Sequence, residues 1–129
     1  MILDSTFLID VLRGDEQVSE RVAEIDDAGT PCVSSVTVME LIEGIYLADA
    51  STSERDAVED LIENLTELPF DRRCAMEAGR VNAGLIRDGE RIDEADVMIA
   101  ATALVHDHAV VTRNVDHFDR IEPVTVVTY

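Results

Sequence analysis

Short apolar runs and longer amphipathic stretches alternate along the chain. The runs at residues 1–3 and 109–112 are apolar at consecutive positions, which is typical of a parallel strand buried on both faces. Residues 71–88 instead repeat apolar side chains every three or four positions, which predicts an amphipathic helix. Alternation of the two patterns predicts an α/β fold, a three-layer sandwich in which helices cover both faces of a short parallel sheet of 4–5 strands.

Further elements follow from the same patterns. Short strands are predicted at 32–35, 67–70 and 124–127, with a helix over 16–28 that Gly29 closes and a turn over 116–120. An acidic cluster at 93–96 opens a helix whose apolar run, 97–104, leads into the core. The chain has 129 residues and no linker or internal repeat. A single domain over 1–129 is therefore expected.

Capping residues predict where the helices begin. Ser5 or Thr6 is expected to cap the first helix, and Ser53 the fourth. Thr37 and Glu40 have the spacing of a capping box, in which the carboxylate of the fourth residue reaches back to the amide of the first. In this interpretation the Glu40 carboxylate serves only to stabilise the start of the helix.

The composition is that of a globular protein. Hydrophobic residues make up 47% of the chain, and no apolar run approaches the about 20 residues that span a bilayer. The first residues lack the basic region of a signal peptide, so a cytoplasmic location without membrane contact is expected. Cys32 and Cys74 are expected to be buried free thiols, the alternative being one disulfide.

The charge balance is strongly acidic. The chain has 28 acidic and 10 basic residues, a net charge of −18, and every basic residue is Arg. Because the acidic residues are spread along the chain, adaptation to a very salty cytoplasm is the favoured interpretation, with charges screened within about 3 Å at 1 M salt. An acidic partner-binding surface is the alternative. Under the favoured interpretation the charge does not exclude an RNA substrate.

Three acidic residues are candidates for a shared metal site. Asp4 follows the first strand, Glu40 lies near the start of a helix, and Asp96 lies near the start of the helix before the strand at 109–112. Ligands of open α/β sheets bind beyond the carboxyl ends of the strands. Carboxylates gathered there would repel one another unless a cation such as Mg²⁺ or Mn²⁺ joined them. Such cations support phosphodiester hydrolysis.

Each candidate also has a structural interpretation. Asp4 suits a turn, Glu40 a capping box, and Asp96 the third position of a helix capped by Asp93, where the helix dipole favours an anion. The histidines, at 106, 108 and 117, lie within one short segment and are expected to be turn and surface residues. A phospho-accepting signalling domain would need a Lys near its Asp, and the chain contains none.

Four segments together resemble a known family. ILDSTFLID, SSVTVMEL, IDEADVMIAATA and VVTRNVDHF occur in that order, and they resemble the PIN-domain ribonucleases, above all the VapC toxins of toxin–antitoxin pairs. The resemblance places Asp4, Glu40 and Asp96 at the first three acidic positions of the family, and Thr6 at a hydroxyl position beside the first. Many members have Asp where this chain has Asn114; Asp116 is the nearest acidic substitute.

The resemblance also implies an activity and partners. It implies a toxin that is an Mg²⁺- or Mn²⁺-dependent endoribonuclease cleaving RNA by metal-activated water, a homodimer, and a cognate antitoxin whose C-terminal segment fills the active-site groove. Arg113, with Arg87 or Arg91, is a candidate for holding flanking phosphates, the alternative being solvated charge. A catalytically degraded PIN-fold module that binds RNA or protein without cleavage remains the alternative function, and the departure at Asn114 is its main support.

Overall fold

The sheet is parallel throughout and has five strands in the residues described by this computed structural model, which are 1–28, 31–121 and 123–129. The strands are short: β1 Ile2–Leu3, β2 Cys32–Ser34, β3 Thr66–Leu68, β4 Val110–Val111 and β5 Val126–Val127. Their spatial order is β3-β2-β1-β4-β5, so β1 lies at the centre. The order reverses direction at β1, which makes the carboxyl end of β1 the expected ligand crevice.

The helices account for most of the remaining chain. Their bounds are α1 Ser5–Leu12, α2 Glu16–Ala28, α3 Ser35–Leu47, α4 Thr52–Glu63, α5 Arg72–Arg87, α6 Glu94–Val105 and the one-turn α7 Val115–Phe118. Within the described ranges, no helix is long and apolar enough to cross a membrane.

Helices bury the sheet on both faces. Ile2 belongs to one apolar cluster with α5 and α6, whereas the next residue, Leu3, belongs to a second cluster with α1 and α2. Neighbouring strand residues point to opposite faces, so both faces are covered. The α/β sandwich predicted from the alternating pattern is confirmed.

Helix α6 lies at the centre of one layer. Ile99, Ala100, Ala101 and Ala103 are fully buried, and a helix that is apolar on all sides is one surrounded by protein. Its alanines permit close packing against α5. The burial of α6 on all sides fixes the position of its acidic first turn.

The capping box predicted for Thr37 and Glu40 is wrong. Ser34 caps α3 instead, with its Oγ accepting a hydrogen bond of 3.1 Å from the amide of Val36. The helix therefore begins at Ser35, two residues before Thr37, and Glu40 lies in its second turn. Glu40 is too far along the helix to reach an unpaired terminal amide.

Two other predicted caps were misplaced. Asp4, rather than Ser5 or Thr6, caps α1, and Ser51, rather than Ser53, caps α4. The expected turn over 116–120 is a helical turn, α7.

The remaining element predictions agree with the structure to within about two residues. Helices were placed correctly over 16–28 and over 71–88, and the predicted strands exist but are shorter. Cys32 and Cys74 are buried and are not joined in a disulfide, as expected. Gly89 takes a positive φ of 67° after α5, as an αL helix end requires. The predicted helix end at Gly29 lies outside the described residues.

Candidate active site at the carboxyl edge of the sheet

Asp4 follows β1 and is almost completely buried, with 1% of its surface exposed. Its Oδ1 accepts hydrogen bonds from the Thr6 hydroxyl at 2.6 Å and from the Phe7 amide at 3.2 Å, and its Oδ2 accepts one from Thr112 Oγ1 at 2.5 Å. Burial raises the pKa of Asp4, the three hydrogen bonds oppose that shift, and the charge of Asp96 adds to it. A carboxylate has about four lone-pair sites, so one, on Oδ2, is left for a further ligand.

Glu40 has a buried oxygen that no protein group satisfies. Its Oε1 makes no hydrogen bond in the described part of the chain. Burial, followed by the charges of Asp96, Asp93 and Asp4, raises the pKa of Glu40 to about 7, and a hydrogen bond with Ser5 opposes the shift. Since all three acids repel Glu40, the structure brings the three predicted carboxylates, together with Asp93, into one region.

Asp96 is the third residue of α6, whose N-terminal cap is Asp93. Its Oδ2 lies 3.1 Å from Asn114 Nδ2 and 2.6 Å from His117 Nδ1. No protein partner holds Oδ1 within the described residues. Asp96 therefore occupies the helix position that the dipole favours and also faces the other carboxylates, so the two interpretations of this residue are compatible.

The two candidates for the fourth position differ in location. Asn114 contacts Asp96 directly, and its Nδ2 lies 3.0 Å from His117 Nδ1. Asp116 lies exposed on α7, and among the described residues it makes no hydrogen bond to Asp4 or Asp96. Geometry thus favours Asn114 as the neighbour of the carboxylates.

His117 and Thr112 belong to this site, although sequence reasoning did not select them. The expectation that all three histidines are turn and surface residues is wrong for His117, which contacts Asp96. Thr112 Oγ1 donates to Asp4 and accepts a hydrogen bond of 2.9 Å from the backbone amide of Asn114. The available signal was that Thr112 follows β4 directly, at the same sheet edge as Asp4.

The donor set suits a divalent cation. Among the residues that the structure describes, no three His, Cys, Asp or Glu side chains stand close enough to grip a metal ion by themselves. Mg²⁺, however, usually takes one or two carboxylates and keeps several waters. The Glu40 oxygen is unsatisfied, and burial, followed by the charge of neighbouring acids, raises the pKa values of Asp4 and Glu40. A cation would compensate these carboxylates in their ionised form.

Comparison with known proteins agrees with this arrangement. Residues 1–122 match the family model of the PIN domain. A tRNA(fMet)-specific endonuclease VapC of Salmonella typhimurium is 36% identical over 95 residues, which cover 74% of this chain and 72% of that protein. The DNA-bound VapBC structure from the same organism has a TM-score of 0.83 at 31% identity and covers 98% of this chain and 96% of the other.

A third comparison extends the likeness to another organism. VapBC-5 of Mycobacterium tuberculosis, a member of the VapBC family of toxin–antitoxin systems, has a TM-score of 0.69 at 26% identity, covering 98% of this chain and 94% of the other. The chain belongs to the PIN domain family and, within it, to the VapC ribonucleases.

Proposed function

We propose that this chain is a toxin that hydrolyses RNA at the carboxylate cluster formed by Asp4, Glu40 and Asp96, with Mg²⁺ or Mn²⁺ as cofactor. The observation that carries the proposal is the buried, unsatisfied oxygen of Glu40, whose pKa is raised to about 7 by burial and by three neighbouring acids. Such an arrangement destabilises the metal-free protein. Selection of these residue types at this place is explained by a ligand of opposite charge.

The three carboxylates are assigned different tasks. Asp4 and Glu40 would hold the cation through the free lone pair of Asp4 Oδ2 and through Glu40 Oε1. Asp96 would face it through Oδ1, since Asn114 and His117 occupy its Oδ2. The cation, when bound, would lower the pKa of water and neutralise charge on the transferred phosphoryl group.

The surrounding residues orient these ligands. Thr6 and Thr112 donate to Asp4, which opposes the rise in its pKa and fixes the rotation of its carboxylate. Asn114 does the same for Asp96, which gives it a positioning role at the fourth position, in place of Asp116. The departure from Asp at this place therefore does not require a degraded site.

Cleavage of RNA by the purified chain tests the proposal. Asp4→Asn, Glu40→Gln and Asp96→Asn are each expected to lower the rate at least a hundredfold in MgCl₂ or MnCl₂, and EDTA is expected to abolish it. The matched control is Glu43→Gln, an exposed acid on the same helix as Glu40. RNA binding without metal-dependent cleavage by the wild type would instead favour the non-catalytic module.

We further propose an antitoxin as partner, docked beside Glu40. A cavity of about 320 Å³ lies between α1, α3 and α4, and its lining includes Ile9, Leu12, Leu41 and Glu40. Ile9 and Leu12 are each 37% exposed, so an apolar segment covering them would also close access to the carboxylates. An Ile9→Glu variant is expected to keep RNA cleavage and to escape inhibition by a co-expressed antitoxin.

Homodimerisation and a halophilic habitat complete the proposal. Light scattering at two protein concentrations tests the first: a mass of twice 14.2 kDa is expected. The second is supported by the net charge of −18.

A further inference from the structure

Asp10 is a buried carboxylate outside the cluster described above. Only 5% of its surface is exposed. Its Oδ1 lies 2.7 Å from Arg113 Nη2, and its Oδ2 accepts a hydrogen bond of 2.6 Å from the Tyr129 hydroxyl. Since a buried charge is tolerated only when it is paired and hydrogen-bonded, Asp10 constrains the positions of both partners.

Arg113 keeps most of its donors free although it is paired. Nη2 alone contacts Asp10, at 2.7 Å from Oδ2 as well. A guanidinium has five N–H donors in a planar fork, and in the described residues Nε and Nη1 make no hydrogen bond. The Arg113 side chain is 59% exposed. At least three donors therefore remain available to an anion from solution.

The backbone of Arg113 passes between the two halves of the carboxylate cluster. Its chain neighbours hold the cluster on either side: Thr112 donates to Asp4, and Asn114 donates to Asp96. The guanidinium extends from this point towards α1, where Asp10 lies. An anion bound there would lie at the same edge of the sheet as the proposed metal position.

Tyr129 secures Asp10 from the other side. Its ring meets the buried ring of Phe7 edge-on, with centroids 5.1 Å apart. Burial, together with the hydrogen bond to Asp10, raises the pKa of Tyr129 to about 12. The phenol thus remains a donor throughout the ordinary pH range, and the segment after β5 is tied to the rim of the site.

We propose that Arg113 binds a phosphate of the RNA next to the scissile one, and that Asp10 and Tyr129 are positioning residues that hold its guanidinium in place. The inference rests on the proposed function for its substrate. A phosphate is the fitting anion because the planar fork of Arg matches two phosphate oxygens at once. The opposing view is that the Asp10–Arg113 pair only ties α1 to the segment after β4.

The first test measures binding without metal. Fluorescein-labelled single-stranded RNA is titrated in EDTA at several KCl concentrations. Arg113→Ala is expected to weaken binding roughly tenfold or more, as loss of a charged hydrogen bond predicts, and to reduce the slope of log K against log[KCl] by about 0.7, the value for one phosphate contact on a single strand. Arg80→Ala, which removes an exposed ion-paired Arg on α5, is the control. An Arg113→Ala slope equal to that of wild type overturns the inference.

The second test separates positioning from binding. Asp10→Asn and Tyr129→Phe leave the charge of Arg113 in place but remove the contacts that fix its guanidinium. We therefore expect kcat in Mg²⁺ to fall about tenfold while the RNA Kd stays within about twofold. In an Arg113→Ala background neither change should lower kcat further, because residues that act through a common partner are non-additive. Arg113→Lys is expected to restore affinity but not kcat, since an ammonium lacks the fork.

Matched controls and contrary results are available for each variant. Tyr46→Phe removes a hydroxyl from an exposed Tyr and is expected to change nothing. Should Asp10→Asn fail to fold, Tyr129→Phe carries the test. Additive losses in the Arg113→Ala background would overturn the positioning role, as would tighter RNA binding by Asp10→Asn with an unchanged kcat, which would make Asp10 only a competing anion.

Failure of this inference is distinguishable from failure of the proposed function. If Glu40→Gln abolishes cleavage and the Arg113 variants behave as wild type, the inference alone fails. If the wild type cleaves no RNA in any divalent cation, the proposed function fails, whereas the salt dependence in EDTA still decides whether Arg113 contacts a phosphate.

Discussion

The side-chain nitrogen of Asn114, Nδ2, lies 3.1 Å from Asp96 Oδ2 and donates a hydrogen bond to it. The family resemblance of the sequence implies an acid at the position of Asn114. A carboxylate at this place would accept instead of donating, and it would repel Asp96 unless a cation lay between them. In the metal-free protein, Asn at position 114 therefore attracts Asp96, whereas Asp there would repel it.

Asn114→Asp tests this relationship directly. In EDTA at pH 7.5 the variant is expected to lose about 1–3 kcal/mol of the free energy of unfolding, the cost of an unmet charged hydrogen bond, and to recover it in MnCl₂. Urea denaturation with and without metal measures both effects. Asn64→Asp is the matched control, because Asn64 donates to a backbone carbonyl on the exposed end of α4. Equal stability of wild type and Asn114→Asp in EDTA would contradict the assigned role.

The pH dependence of stability should report on Glu40. Its pKa is about 7 in the folded chain against an ordinary value of 4.5. Between those values the folded chain retains a proton that the unfolded chain has released, so the free energy of unfolding falls as the pH rises from about 4.5 to about 7. Glu40→Gln removes this loss. The metal-free variant should be more stable than wild type above pH 7, on the order of 2 kcal/mol after allowance for solvent screening.

Denaturation curves from pH 4 to 8.5 in EDTA check this expectation. Wild type and Glu40→Gln should agree near pH 4.5 and diverge above it, whereas Glu43→Gln should follow wild type throughout. Saturating Mn²⁺ should reverse the order above pH 7, because only wild type gains a ligand. A difference between the two proteins that does not vary with pH would show that Glu40 is not the titrating group.

Local sequence patterns predicted the fold correctly where a pattern had a single structural interpretation. Helix α5 is bounded by Asp71 and Gly89 and has a regular apolar repeat, so its limits were predicted closely. Thr37 and Glu40 imitate a capping box, but the backbone had already turned into α3 at Ser34. Spacing in the sequence does not show whether the hydroxyl of Ser34 or that of Thr37 accepts the hydrogen bond from the first free amide.

The same distinction applies to the site. Asp4 and Asp96 were selected because strand ends and helix starts meet at one sheet edge, which topology alone dictates. His117 was missed because its meaning depends on the single turn of α7, which brings it back to Asp96 across 21 residues. Asp10 and Tyr129 are 119 residues apart, and no periodicity links residues at that separation.

Thr112 is expected to matter for both stability and activity. It is fully buried and donates to Asp4 at 2.5 Å. Thr112→Val keeps the shape but removes this bond, which should lower the free energy of unfolding by about 2 kcal/mol and RNA cleavage at least tenfold. Thr102→Val is the control, because Thr102 is equally buried but donates to the Met98 carbonyl of its own helix rather than to a carboxylate of the site. Urea denaturation and RNA cleavage assays measure both effects. Similar losses of stability and of cleavage rate in the two variants would show that the hydrogen bond from Thr112 to Asp4 is not the cause.

The dependence of stability on salt should reveal what the acidic composition does. With a net charge of −18, repulsion within the folded chain extends about 10 Å at 0.1 M salt but only about 3 Å at 1 M. Raising KCl from 0.1 to 2 M at pH 7.5 is therefore expected to raise Tm by roughly 10 °C, equivalent to about 2–3 kcal/mol for a chain of this size.

Calorimetry at pH 4, where many carboxylates are protonated, supplies the control for the salt experiment. The same increase in KCl should change Tm much less there, because protonation has already removed most of the repulsion. A general effect of KCl on apolar burial would act equally at both pH values. A Tm at pH 7.5 that does not respond to KCl would remove the support for a halophilic habitat and favour a partner-binding use of the acidic surface, since the charges would then not be limiting the stability of the free chain.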